Sequence, residues 1–550
     1  MRFEDQPEKG IGKFTSGTSK RRLTVGLIAV AVVIVTFLVQ KNDKAPEKSP
    51  ADLVNPLMGY YQEQYRPQFH FSPEANWMND PNGLVYFEGE YHLFYQYYPD
   101  STVWGPMHWG HAVSRDLIHW KHLPIALYPD SLGYIFSGSA VVDLNNTSGF
   151  GSVEKPPMVA IFTYHNPVLE KSGSNLFQNQ GIAFSLDKGR TWTKYSDNPV
   201  LKNPGIRDFR DPKMFWNDNK RKWNLIMAVY DRVHIYSSYN LKEWTFESEF
   251  GPGIGAHGGV WECPDLFPLK VEGADITKWV MLVSINPGGP NSGSATQYFT
   301  GDFDGHKFVP DDTNVKWIDW GRDNYAGVTW SNIPANDGRR IFIGWMSNWK
   351  YATVVPTTVW RSASTIPREL LLKADNKHCF LTSRPIREIG DLRSKSDTAS
   401  IKNQSCTGEK EISPGKVSLM HSELFFGFNL RDSRADSMGI ILENDLKEKF
   451  IIGYSAFNKQ FYIDRSEAGN SGFSKEFAGI STAPYIPGAT LKLHLLIDAS
   501  SVEMFVDDGR LVMTTLVFPT EKFTRLKLFS KGGSCLLNKA VFWSIEKIWL

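Results

Sequence analysis

The sequence predicts an all-β protein: a five-bladed β-propeller followed by a β-sandwich, with a membrane anchor segment at the N-terminus. Three observations carry this. From residue 66 to about 370, short apolar runs alternate with Gly, Pro and Asn turns, and no sustained helical period occurs. Two kinds of repeat are interleaved through that stretch. Beyond it, alternating strands resume with Gly, Asn and Asp turns.

The N-terminal segment is read separately from the fold. Residues 1–22 form a basic tail ending in Lys20-Arg21-Arg22, and 23–39 is a run of 17 residues without a charge. That length is short for a membrane span and long for a signal-peptide core. No small-x-small cleavage site follows, so the expectation is a signal anchor with a cytoplasmic N-terminus, a cleaved signal being the alternative. Residues 40–60 read as a polar tether. Sequons at Asn145, Asn146 and Asn403 fit an extracellular or lumenal body.

Residues 61–370 carry the repeats. One type runs Ser or Thr, then an acid or Asn two residues on, then an aromatic: Ser114/Asp116/Trp120, Ser185/Asp187/Trp192, Ser238/Asn240/Trp244 and Thr300/Asp302/Phe308. The aromatics are 72, 52 and 64 residues apart, a spacing that suits four-stranded blades with loops. The other type opens each unit. Asp80-Pro81, Asp211-Pro212 and Glu262-Cys263-Pro264-Asp265 each lead into an apolar strand and then a second one, and Ser137-Gly138-Ser139 and Gly327-Val328-Thr329-Trp330 align as the remaining openers.

In a propeller, equivalent residues surround one axis, so Asp80, Asp211 and Glu262 become neighbours on one rim. A single Asp-Pro is most simply a turn that binds its own amides. Three carboxylates in one funnel repel and perturb one another, which suits chemistry in which one stays ionised while another holds a proton. Composition agrees with a sugar ligand: aromatics make up 13% of the chain, with 18 Trp, and such rings offer flat apolar faces.

These motifs, Asn79-Asp80-Pro81-Asn82-Gly83, Arg210-Asp211-Pro212 and Trp261-Glu262-Cys263-Pro264-Asp265, resemble the signature of the β-fructosidases of glycoside hydrolase family 32. The likeness extends to Phe136-Ser137-Gly138, Asn286-Pro287-Gly288-Gly289-Pro290-Asn291 and Gly344-Trp345-Met346-Ser347-Asn348-Trp349. It implies that Asp80 attacks C2 of a terminal fructose, that Glu262 is the general acid/base and that Asp211 binds fructose hydroxyls in the transition state. Asn79, Gln96, Trp104, Phe136, Ser137, Arg210 and Trp345 would line the pocket. Sucrose and the fructans inulin and levan are the implied substrates, with a lean toward exo-fructanases. A fructosyltransferase would share all three acids, and a silent carbohydrate-binding protein is the reading from another class.

Residues 371–550 read as a β-sandwich, with an Asp507-Asp508-Gly509 hairpin turn. Cys263, Cys379, Cys406 and Cys535 allow three disulfide connectivities and show no CxxC spacing. The pairs His108/His111 and His119/His122 are three apart on strands and so face opposite sides, which argues against a metal. No cofactor is expected. A net charge of +1 and the lack of a Gly-Lys-Ser/Thr loop leave nucleic-acid and nucleotide roles without support.

Overall fold

The apolar runs that follow the opening motifs become strands buried on both faces, as the middle of a propeller requires. All eight residues of Met158–His165 and of Lys222–Val229 are buried. The fold is that of a computed structural model which describes residues 60–375 and 378–549. The expected anchor at 23–39 and the tether up to residue 59 lie outside the described residues. Among the described residues no helix is long and apolar enough to cross a membrane.

Five antiparallel sheets form the blades, and their inner strands are Asn76–Phe87, Tyr134–Val142, Phe209–Asn217, Val260–Lys270 and Tyr325–Thr329. All five expected openers begin on these strands, Trp330 alone falling one residue past the end of its own. Apolar clusters fill the spaces between successive blades: Val85 and Phe94 with Ala160 and Phe162, Val159 and Ile161 with Leu225 and Met227, Ile226 and Ile235 with Met281 and Val283, then Val280 and Leu282 with Phe342 and Leu370. A fifth cluster joins blade V to blade I, bringing Ile341 and Ile343 against Leu84 and Leu93. Closure is reinforced where Trp360–Arg361 pairs in parallel with Asn76 and Trp77.

One irregularity recurs in every blade. On each inner strand two residues face a single residue of the next strand: Asn79-Asp80 opposite Gln96, Phe136-Ser137 opposite Thr163, Asp211-Pro212 opposite Met227, Cys263-Pro264 opposite Val283, and Ala326-Gly327 opposite Gly344. Such bulges bend a strand and re-aim its side chains. The Ser/Thr–acid–aromatic repeat maps to the turns between third and fourth strands, where Ser114, Ser185 and Ser238 donate to Asp116, Asp187 and Asn240 at 2.9, 2.8 and 3.3 Å. Blade IV departs from it: Asp302 pairs with Lys278, and Asp304 accepts from the backbone N–H groups of His306 and Lys307 instead.

The boundary expected at 370 falls inside blade V, whose outer strands are Arg368–Asp375 and His378–Pro385. The alternation of that hairpin matches the strands that follow it, so sequence pattern alone hid the junction. Beyond it, ten strands fold into two layers over one apolar core. The strand Arg525–Ile545 serves both layers, pairing with Ser437–Glu443 through 525–531 and with Ser422–Asn429 through 536–544. It turns between layers at Gly532-Gly533, where a Cβ on Gly533 would lie 2.2 Å from the Arg434 carbonyl oxygen. The expected hairpin turn is present, with Asp507, Asp508 and Gly509 all at positive φ. All four cysteines are free; Cys406 lies directly opposite Cys535, while Cys263 sits in the funnel.

Propeller and sandwich form one compact unit. At their junction Arg368, wholly buried, reaches Glu503, Asp319 and Thr514. His70 bridges Asp498 at 2.8 Å and Glu503 at 2.9 Å.

Candidate active site

The three acids come together on the rim, but not at equivalent positions. Glu262 immediately precedes its bulge, Asp211 is the first residue of its own and Asp80 the second. On a regular strand such offsets would send side chains to opposite faces. With the extra residue in each strand, all three reach the axis.

Each carboxylate has its own donors. Asp80 accepts from Ser137 Oγ at 2.7 Å, Asn79 Nδ2 at 3.0 Å and the Cys263 thiol at 3.4 Å. The Trp77 indole N–H, 2.7 Å from Asn79 Oδ1, orients that amide so that its NH₂ faces Asp80. Asp211 accepts from the Cys263 N–H at 3.0 Å, and its own N–H donates to Thr163 Oγ1 at 3.0 Å. Glu262 accepts from Arg210 through Nε at 3.3 Å and Nη2 at 3.1 Å, and from the Tyr325 hydroxyl. Arg210 is held in turn by Asp208 at 2.6 Å.

When all three acids are ionised, a single guanidinium faces three negative charges. Burial and the nearby Glu262 carboxylate push Asp80 up, against the hydrogen bonds from Ser137 and Asn79. Burial also pushes Asp211 up to about 7, with Arg210 opposing and the Glu262 and Asp80 charges adding to the rise. Burial opposes the charge on the Arg210 guanidinium, but Glu262, Asp211 and Asp208 outweigh it and make the group harder to deprotonate. Burial and the adjacent carboxylates raise the Cys263 thiol, which therefore stays a neutral donor. Burial and mutual repulsion thus make the carboxylates resist full ionisation together.

Below the acids the axis is closed. Lys213 Nζ reaches Asp265 at 3.2 Å and the Thr329 carbonyl, and Asp265 accepts from Thr329 N–H at 2.7 Å and Oγ1 at 2.8 Å. The funnel is thus blind.

The other expected residues divide into three groups. Asn79, Ser137 and Arg210 touch the acids directly. Gln96, opposite the Asn79-Asp80 bulge, donates to the Ile135 carbonyl at 3.0 Å, while Trp104 stands 39% exposed with its ring edge-on to Phe136. Trp345 is fully covered, packed among Trp77, Tyr325 and Trp349, with no hydrogen-bond partner for its indole N–H among the described residues. The sequence reading missed Tyr325, Cys263, Asp208 and Thr163 as functional partners. Tyr325 lies two residues ahead of the aligned opener of blade V, so extending that alignment would have found it. The His-x-x-His pairs disperse, with His108 on the Pro106 carbonyl, His111 on His92, His119 on Asp116 and His122 on Tyr61.

Comparison with known proteins decides the family. The "Glycosyl hydrolases family 32 N-terminal domain" matches residues 70–385 and the "Glycosyl hydrolases family 32 C terminal" domain matches 388–544. The chain belongs to glycoside hydrolase family 32. A levanase of Bacillus subtilis is 48% identical over 501 residues, covering 89% of this chain and 72% of its own. The crystal structure of an exo-inulinase from Aspergillus awamori superposes with a TM-score of 0.82 at 38% identity, covering 89% of this chain and all of that one. A fructofuranosidase from Schwanniomyces occidentalis, solved with fructosylnystose, gives 0.80 at 33% identity over 89% of this chain and 99% of that one. The family's boundary at 385 to 388 coincides with the end of blade V.

Proposed function

We propose that the protein is a retaining exo-β-fructosidase, releasing terminal β-D-fructofuranosyl units from fructans such as inulin and levan, and from sucrose. The carrying observation is the blind funnel: three carboxylates stand above the Lys213–Asp265–Thr329 plug, and a pocket with no exit takes a chain end rather than a chain middle. Names printed for family members, levanase and exo-inulinase, support the fructan class.

In this reading Asp80 attacks C2 of the terminal fructose while Glu262 gives its proton to the departing oxygen. Water, deprotonated by Glu262, then opens the fructosyl–Asp80 ester, which regenerates both groups. Ser137, Asn79 and the Cys263 thiol hold one Asp80 rotamer, so the nucleophile is oriented before substrate arrives. Asp211, fixed by the Cys263 N–H on its carboxylate and by its own N–H on Thr163 Oγ1, accepts from fructose hydroxyls. Asn79, Gln96, Arg210, Phe136 and Trp104 complete the proposed sugar contacts.

Product analysis on inulin, levan and sucrose tests this. Free fructose is expected as the dominant early product throughout. Early oligofructosides without fructose would remove the exo reading, and trisaccharides from sucrose in excess of fructose would make the enzyme a transferase. Relatives named as extracellular support an extracellular catalytic body. The anchor at 23–39 remains part of the proposal. Retention of activity on membranes through an alkaline wash supports it, and a soluble product beginning soon after residue 39 would replace it with a cleaved signal.

A further inference from the structure

The rim beside Glu262 is built in part from a glycine-rich loop. Glu262 pairs with Ser284, and two residues later the chain leaves the sheet into the loop 287–294. That loop contains Gly288, Gly289 and Gly293 among two prolines and a Ser292 at positive φ, and Pro287, Gly288 and Ser292 are exposed. It folds back over the start of the Glu262 strand so closely that a Cβ on Gly259 would lie 1.8 Å from the Pro287 carbonyl oxygen. Glycines keep many conformations open, so contacts must fix the loop's shape.

Within the loop the Gly288 and Gly289 N–H groups donate to the Gly293 carbonyl at 3.1 and 2.9 Å and the Ser292 N–H donates to that of Gly289 at 3.1 Å, and further contacts come from two sides. At its base Ser294 Oγ donates to Asn286 Oδ1 at 3.2 Å and accepts from the Trp349 N–H at 3.3 Å. At its tip Asn291 reaches across to the sandwich. Its carboxamide NH₂ donates to the Thr482 carbonyl at 2.9 Å and the Trp320 carbonyl at 2.6 Å, and its oxygen accepts from the Thr482 N–H at 2.8 Å. Thr482 lies on Ile480–Pro484, the strand at one edge of the sandwich sheet. The Asn291 side chain therefore does for that edge what a neighbouring strand would do, donating and accepting at one residue. Arg322 holds the same edge through the Ile480 carbonyl at 3.2 Å.

We propose that Asn291 is a positioning residue: through it the sandwich fixes the wall met by the departing part of the substrate, and so sets affinity for long fructan chains. The inference rests on Glu262 being the proton donor. That donor stands at the bond between the terminal fructose and the remainder, so the wall beside it faces the remainder, not the sugar held in the blind pocket. A wall ordered in advance spares the bound chain the entropy of ordering it. The terminal fructose and the acids keep their contacts whether or not the wall is ordered, so turnover of bound substrate is untouched.

Steady-state kinetics of the full chain and of Asn291→Ala on sucrose and on inulin test this. The ratio of KM for inulin to KM for sucrose is expected to rise about tenfold, the loss of roughly one net hydrogen bond's worth of affinity, with kcat on both within about twofold. Arg322→Ala should give the same pattern more weakly, and it decides the matter if Asn291→Ala does not fold. An unchanged KM ratio, or a parallel fall of kcat on both substrates, overturns the proposal while leaving the functional reading intact. A parent chain that releases no fructose overturns both.

Discussion

Asp80, Asp211 and Glu262 differ less in chemistry than in what donates to them, and that difference can be tested one residue at a time. Asp80→Asn removes the covalent step, so every fructoside should fail alike. Glu262→Gln removes proton delivery, typically worth on the order of 10²–10⁴-fold, and this matters little when an activated aryl group departs. Turnover of an aryl fructoside should therefore survive far better than that of sucrose, and azide should speed release of the fructosyl-enzyme by replacing activated water. If Glu262→Gln loses both substrates equally and azide has no effect, Glu262 is not the acid/base. Much of this was legible because Asn79-Asp80, Arg210-Asp211 and Glu262-Cys263 are contiguous in sequence. Tyr325 and Thr163 were not, since each sits in a buried strand outside those motifs. Trp345 shows what a motif leaves out: its packing against Trp77 and Trp349 is visible only in the fold.

At the scale of the strand, the bulge gives five otherwise different sequences a common role. Repeat spacing exposed the five units, but not the extra residue, which no periodicity encodes; Asp80, Asp211 and Glu262 looked equivalent because their offsets of one residue were invisible. In blades III to V the first bulge residue takes a left-handed conformation, with Asp211 at φ 61°, Cys263 at 44° and Ala326 at 54°. Such backbone costs of order 1–3 kcal/mol for a residue with a Cβ. Ala326 is the position where this can be probed without touching an acid. Ala326→Gly relieves the strain but loosens the unfolded chain by a comparable amount, so its stability should stay within about 1 kcal/mol of the parent. Ala326→Val adds a β-branched side chain to the same left-handed, fully buried position and should cost about 2 kcal/mol or more. Its neighbour Tyr325 should then lose its aim, so sucrose turnover should fall with stability. Thermal unfolding and kinetics of the pair check this; equal melting temperatures for Gly and Val would mean that the bulge is not strained.

The propeller and sandwich are tied by charges that no motif signalled, because His70, Arg368, Asp498 and Glu503 lie up to 433 residues apart and meet only after both domains have formed. Burial opposes a charge on His70, yet its hydrogen bonds to Asp498 and Glu503 outweigh that and hold the imidazole up to about 9. Burial likewise opposes ionisation of Glu503, but Arg368 and His70 draw it down to about 2. Asp498 is also lowered, against its burial, by His70, with His421 Nε2 lying 3.7 Å from its other oxygen. The signs then fix a window. A carboxylate with a depressed pKa stabilises the fold above its unfolded value near 4.5, and that contribution is lost as pH falls toward 2. A histidine with a raised pKa stabilises the fold fully below 6.5, and its contribution disappears as pH rises through about 9. A rise of that size corresponds to roughly 3 kcal/mol for this wholly buried group. The His70–Glu503 contact is therefore strongest between about pH 4.5 and 6.5, and its alkaline decline follows His70. His70→Gln keeps donor capacity but cannot carry the charge. Its melting temperature should lie well below the parent's at pH 6, and the gap should close as pH approaches 9.5. A gap that stays constant from pH 6 to 9.5 would mean that His70 is neutral at the junction, and that Arg368 alone compensates the buried carboxylates.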